Sequence, residues 1–160
     1  MLLLQCSDVS VTCQAKLLFS QICLREVDTE LRPLLVSASL KPGVRRLVSH
    51  LARHRVPAAI ATSSREANSR VKMSGHRELF ALFSHKVFGS DDPEVRRGKP
   101  DPDIFLVAAG RFPDHPNPEN CLVFEDSVSG VQGALRAGMQ VRAYYVMMLL
   151  RMFTSGGHGP

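Results

Sequence analysis

Apolar positions along this chain follow two rhythms, and the rhythm changes at glycine and proline. Val44, Leu47, Val48 and Leu51 recur at helical spacing, so Val44 to His54 is predicted as an amphipathic helix opened by Pro42-Gly43, with its arginines turned away. Val56 to Thr62 reads VPAAIAT, a short buried strand that ends in the hydroxyls of Thr62, Ser63 and Ser64. A polar helix is expected from Arg65 to Met73, and His76 to Phe83 offers Leu79, Phe80, Leu82 and Phe83 as core residues. His85 to Phe88 reads as a second strand and Gly89 to Gly98 as a charged loop. Asp101 suits a helix N-cap and Pro102 the first helical position, with Ile104, Phe105, Ala108 and Ala109 as the buried face. Cys121 to Phe124 is a third apolar run. It ends on Glu125 and Asp126, and Val128, Val131, Ala134 and Leu135 then keep helical spacing until Gly138.

The two ends read less clearly. Lys16 to Arg32 has partial helical spacing and stops at Pro33, and Met139 to Met148 could continue as a strand. The division expected is a divergent segment at 1–39, a core at 40–148 and a glycine-rich, disordered tail at 149–160. Helix and strand alternate through the core, which predicts an α/β layered domain on a parallel sheet.

Composition narrows the class. A chain of 160 residues with 44% hydrophobic and 22% charged residues fits one domain with a real core. No apolar run is long enough for a membrane span, and the start, MLLLQCSDVSVTC, lacks the basic leader of a signal peptide. Cys6, Cys13, Cys23 and Cys121 show neither CxxC nor zinc-site spacing, so reduced thiols, a cytoplasmic location and a monomer are expected. The net charge of +5 is partly local, at Arg45, Arg46, Arg53 and Arg55 and at Arg96, Arg97 and Lys99. With 6% aromatic residues and no nucleic-acid motif, that charge points to small phosphorylated molecules rather than to DNA or RNA.

The chemistry lies where strands end. In a parallel α/β sheet the strand C-termini converge on one edge. Thr62 and Ser64, with Ser63 between them, would donate hydrogen bonds to phosphate oxygens, helped by backbone N–H groups at the next helix start. Lys99, held between Gly98 and Pro100, would neutralise phosphate charge. Glu125 and Asp126 would hold Mg²⁺, which prefers hard oxygen ligands. On its own stretch, the pair could equally leave Asp126 or Ser127 as a simple helix cap.

Taken in order, AAIATSS with Thr62, GKPDPDIF with Lys99 and LVFEDSVSG with Glu125 and Asp126 resemble the second, third and fourth motifs of the haloacid dehalogenase-like phosphohydrolases. The resemblance runs from about Leu40 to Val141. It implies a Rossmann-like three-layer core with a parallel sheet, and a Mg²⁺-dependent phosphatase of small phosphorylated metabolites such as a nucleotide monophosphate. It also implies an aspartate in a first motif, DxDGxxxDT, that attacks phosphorus. A second aspartate two positions later would serve as general acid and base.

That motif is not found near the N-terminus. Asp8 is the remote candidate nucleophile, with Ser10 where the acid–base aspartate should stand. Asp28-Thr29-Glu30 echoes only the motif's ending, and too few residues separate Asp8 from Thr62 for the helical cap, leaving at most a remnant within 14–39. The expectation is an incomplete core lacking the family's first strand and most of its cap. Such a chain would be an impaired phosphatase, or a non-catalytic remnant with a weak phosphate and Mg²⁺ pocket or a partner-binding role. In the family's sheet the first-motif strand lies between the strands that carry the second and fourth motifs, so Met1 to Thr12 is expected to fill that slot in part or leave the domain poorly stable.

Overall fold

The computed structural model describes residues 2–4 and 39–143. Asp8, the Lys16 to Arg32 helix, the cap remnant and everything after Ala143 lie outside the described residues.

The described strands are β1 (Leu2–Leu4), β2 (Ala58–Thr62), β3 (His85–Phe88), β4 (Leu122–Glu125) and β5 (Gln140–Ala143). They form one parallel five-stranded sheet in the order β3-β2-β1-β4-β5. The helices are α1 (Val44–Arg53), α2 (Glu66–Met73), α3 (Arg77–Phe80), α4 (Asp103–Gly110) and α5 (Val128–Arg136). All five residues of β2 are buried, as an uninterrupted apolar run in an inner parallel strand requires.

Alternation along the strands divides the core into two layers. Ala59, Ala61, Val87 and Val123 face one side, where they meet Ile104, Phe105, Ala108 and Phe112 of the α4 region and Ala134 of α5. Ala58 and Ile60 face the other, where they meet Val48 of α1 and Met73, Leu79 and Phe83. Helices on both faces of a parallel sheet make the three layers that the sequence predicts.

Three local expectations change. Leu82 is exposed, because α3 lasts one turn and presents Leu79 and the stacked Phe80–Phe83 pair to the core instead. The helix after Lys99 starts at Asp103, with Pro102 as its cap. Asp101 stays outside it, where its carboxylate accepts from the Asp103 N–H (3.3 Å) and pairs with Arg97 (3.0 Å). Gly138 does stop α5 as expected, at φ +76°, where other residues would be strained.

The central slot is filled. Leu2–Leu4 pairs with Ala58–Ile60 on one side and Leu122–Phe124 on the other, so a short strand stands where Met1 to Thr12 was expected to contribute one. The strand position is occupied although the sequence carries no DxD motif behind it. Without β1, the facing edges of β2 and β4 would be buried and unpaired, at about 1–3 kcal/mol for each unsatisfied group. Leu3→Pro removes an N–H from the middle of this strand. It should cost about 1–3 kcal/mol from the lost bond alone, read as a lowered urea midpoint; an unchanged midpoint would mean that β1 does not hold the sheet together.

Candidate active site

The C-terminal strand ends place the predicted groups on one edge. Thr62 ends β2 and Glu125 ends β4, with β1 between them. Two strand spacings separate β2 from β4, roughly 10 Å. Within the described residues β1 stops at Leu4, level with Ile60 and Phe124 and therefore short of both groups.

Lys99 spans that interval. Its ammonium donates to the Ala61 carbonyl of β2 and to Glu125 Oε2 of β4, each at 3.3 Å. Its Nζ also lies 4.7 Å from the centre of the Phe105 ring, a cation–π contact. The Lys99 and Glu125 side chains are 3% and 0% exposed, so this is a buried ion pair. Removing either partner of such a pair would leave an uncompensated buried charge.

The loop that delivers Lys99 is fixed at several points. The Gly89 N–H donates to Thr62 O (2.8 Å), and Ser90 Oγ donates to Ser63 O (2.6 Å). Asp91 accepts from the Glu66 N–H at the start of α2 (2.6 Å). Arg111 grips Asp92 with both guanidinium nitrogens (2.6 and 2.8 Å) and reaches Glu94 (2.8 Å). The Arg111 hydrogen bond holds the Asp92 carboxyl below its usual pKa, so the clamp stays charged well into acid. Asp103 accepts from the N–H groups of Arg96 and Arg97 (3.1 and 3.0 Å). Arg136 of α5 closes the far side by donating to Pro100 O (2.9 Å). The basic run at 96–99 is thus not one surface patch, since Lys99 is buried and Arg97 is paired.

The acids divide their roles. Glu125 Oε1 accepts from the Ser127 N–H (3.1 Å) and from Ser127 Oγ (2.6 Å), while Oε2 faces Lys99. Ser127 in turn caps α5, its Oγ accepting from the Gly130 N–H (3.0 Å). The capping role therefore falls to Ser127, and Asp126 is left for other work. Asp126 Oδ2 pairs with Lys41, and its Oδ1 is buried with no hydrogen-bond partner among the described residues. An orphaned, buried carboxylate oxygen suits a hard divalent cation. Among the described residues no three His, Cys, Asp or Glu side chains cluster as a complete metal site.

On the β2 side Thr62 is 1% exposed, and its Oγ1 accepts from the Ser64 N–H (3.2 Å), which leaves its own proton to donate. Ser64 Oγ accepts from Lys72 Nζ (3.3 Å). Lys72 is a second ammonium beside the hydroxyls and was missed in the sequence, where it sits in a polar helix with no spacing to mark it. Lys41 and Gly130 were missed too. At Gly130 a Cβ would lie 2.1 Å from Glu125 Cδ, so only glycine admits the buried carboxylate against α5.

With this geometry in view, the family is decided by sequence. The profile of the haloacid dehalogenase-like hydrolases matches residues 13–138. The chain belongs to that family. It is 57% identical over 108 residues to a probable pseudouridine-5'-phosphatase of Drosophila melanogaster, covering 68% of this chain and 47% of the relative. It is 47% identical over 119 residues to (DL)-glycerol-3-phosphatase 2 of Arabidopsis thaliana, covering 74% and 49%. The chain spans about half the length of these curated relatives. Among solved structures it superposes on a family hydrolase of Entamoeba histolytica (TM-score 0.65, 26% identity, 87% of this chain and 63% of that one). It also superposes on one from Deinococcus radiodurans solved with bound phosphate and sodium (TM-score 0.64, 27% identity, 80% and 54%). No helix of the described residues is long and apolar enough to cross a membrane.

Gly130→Ala should force Glu125 out of its place. A loss of about 2–4 kcal/mol in unfolding free energy is expected from overpacking and from disturbing the buried pair. Gly110→Ala, at the end of α4 with nothing within 4 Å of a new Cβ, should be neutral or stabilise by up to about 1 kcal/mol. Equal effects in urea denaturation would refute the close packing of Glu125 on α5.

Proposed function

We propose that this chain binds small phosphomonoesters of the nucleotide-monophosphate type, pseudouridine 5'-phosphate first among them, at a Mg²⁺–phosphate site, and that its phosphatase chemistry is impaired. The observation that carries this reading is the buried Lys99 ammonium fixed between β2, which ends in Thr62, and Glu125 at the end of β4, which is followed by Asp126 with its orphaned oxygen. The relatives' names supply the reaction class, and the Deinococcus structure with bound phosphate supplies the ligand class.

Each group has a role in that reading. Thr62 Oγ1, with Ser63 and Ser64 next to it, donates to phosphate oxygens, and Lys99 offsets their charge without having to reorganise. Asp126, with Glu125 beside it, would hold Mg²⁺. Bound there, the ion would draw charge from the phosphate oxygens. Glu125 acts chiefly by holding Lys99, since both its oxygens already accept hydrogen bonds. Dephosphorylation also needs a nucleophile between β2 and β4, and the family's aspartate motif is not in this sequence. Asp8, followed by Ser10 rather than by a second aspartate, is a poor substitute. A cytoplasmic monomer fits the same reading.

A panel of phosphomonoesters including pseudouridine 5'-phosphate, given to the full chain with Mg²⁺, tests it. Inorganic phosphate release should stay near the uncatalysed background while phosphate binding is measurable, and Lys99→Met should abolish that binding. Mg²⁺-dependent turnover that disappears in Asp8→Asn would overturn the impairment. Phosphate binding that survives Lys99→Met would overturn the site.

A further inference from the structure

Lys41 lies in the Lys41-Pro42-Gly43 turn before α1, 85 positions from Asp126 in sequence. Its ammonium forms a hydrogen-bonded ion pair with Asp126 Oδ2. The Asp126 side chain is 10% exposed and that of Lys41 is 34% exposed, so the pair has a buried end and an open end. Both residues line a cavity of about 460 Å³ between the start of α1 and the end of β4, with Arg46 and His50 on the same wall. Glu125 also borders it, but its charge is matched by Lys99. Asp126 is therefore the carboxylate in this cavity whose cation is a partly exposed side chain and whose second oxygen is buried and unsatisfied among the described residues.

We propose that Lys41 is a built-in competitor for the divalent cation at Asp126. The inference rests on the reading of Asp126 as a metal-holding residue. An ammonium and a metal ion both neutralise a carboxylate, so each weakens the attraction felt by the other. Metal entry at Asp126 comes at the expense of the Lys41 ion pair, and removing the ammonium leaves an uncompensated carboxylate that attracts cations more strongly. Because Lys41 is one-third exposed, its head can swing into water when the metal arrives, which keeps the competition modest.

Binding of Mn²⁺ alone to the full chain, in the absence of phosphate, measures this directly by titration calorimetry or by loss of the free-ion paramagnetic resonance signal. Lys41→Met should bind Mn²⁺ about three- to tenfold more tightly than the unaltered chain, the equivalent of roughly 0.7–1.4 kcal/mol. Lys41→Arg, which keeps the charge, should stay close to the unaltered chain, and Asp126→Asn should lose the binding in either background. Binding that depends on Asp126 but is unchanged or weaker in Lys41→Met overturns the competition while leaving the metal reading intact. Binding indifferent to Asp126→Asn, or no binding by any variant, overturns the metal reading and the competition together. Lys41→Met should also gain more thermal stability from added Mn²⁺ than the unaltered chain does, a readout that needs no catalysis.

Discussion

The buried pair of Lys99 and Glu125 is the interaction on which the site depends. Two charges without solvent are costly to place inside a protein unless each is well matched. Here the ammonium also meets a backbone carbonyl and an aromatic face, and the carboxylate also takes two hydrogen bonds from Ser127. Satisfying those groups dictates the surroundings. The loop before Lys99 is pinned by Arg111 and Asp103 so that the lysine arrives in place. Residue 130 must be glycine so that the carboxylate can lie against α5. The same pair joins β2 to β4 one residue beyond the level of Leu4, the last described residue of β1.

That arrangement separates the two acids that the sequence presents as equivalents. Glu125 is enclosed and fully bonded, whereas Asp126 has one oxygen on a partly exposed lysine and one on nothing among the described residues. Glu125 thus organises the site, and Asp126 is the acid with capacity to spare for a ligand. The separation arises because successive residues of an extended chain point in opposite directions, one into the α4–α5 side and one toward α1.

Much of this was legible in the residues. VPAAIAT and CLVF announce inner strands because a strand covered on both faces has no polar side to show, and Lys99 is flagged by the prolines and acids that constrain its neighbours. Local spacing fails where tertiary packing decides. Leu82 looks like core because it sits among apolar residues, but a one-turn helix cannot bury all four. Asp101 looks like a cap, yet Arg97 and the Asp103 N–H hold it before the helix. Lys41 and Lys72 carry no local signal, since Asp126 lies 85 positions from the one and Ser64 lies eight positions from the other, outside its helix. Leu2–Leu4 is a strand only because β2 and β4 stand on either side of it.

A double-mutant cycle on Lys99 and Glu125 tests the central claim most directly. Unfolding free energies would be compared for the unaltered chain, Lys99→Met, Glu125→Gln and the double variant. Each single change should cost about 3–5 kcal/mol, because it leaves the other charge buried and unmatched. The double change should cost at least 2 kcal/mol or so less than the sum of the two, which is coupling of the size expected for residues in direct contact. Single losses that simply add would contradict the account, because Lys99 and Glu125 would then contribute independently and the site would be organised by something else.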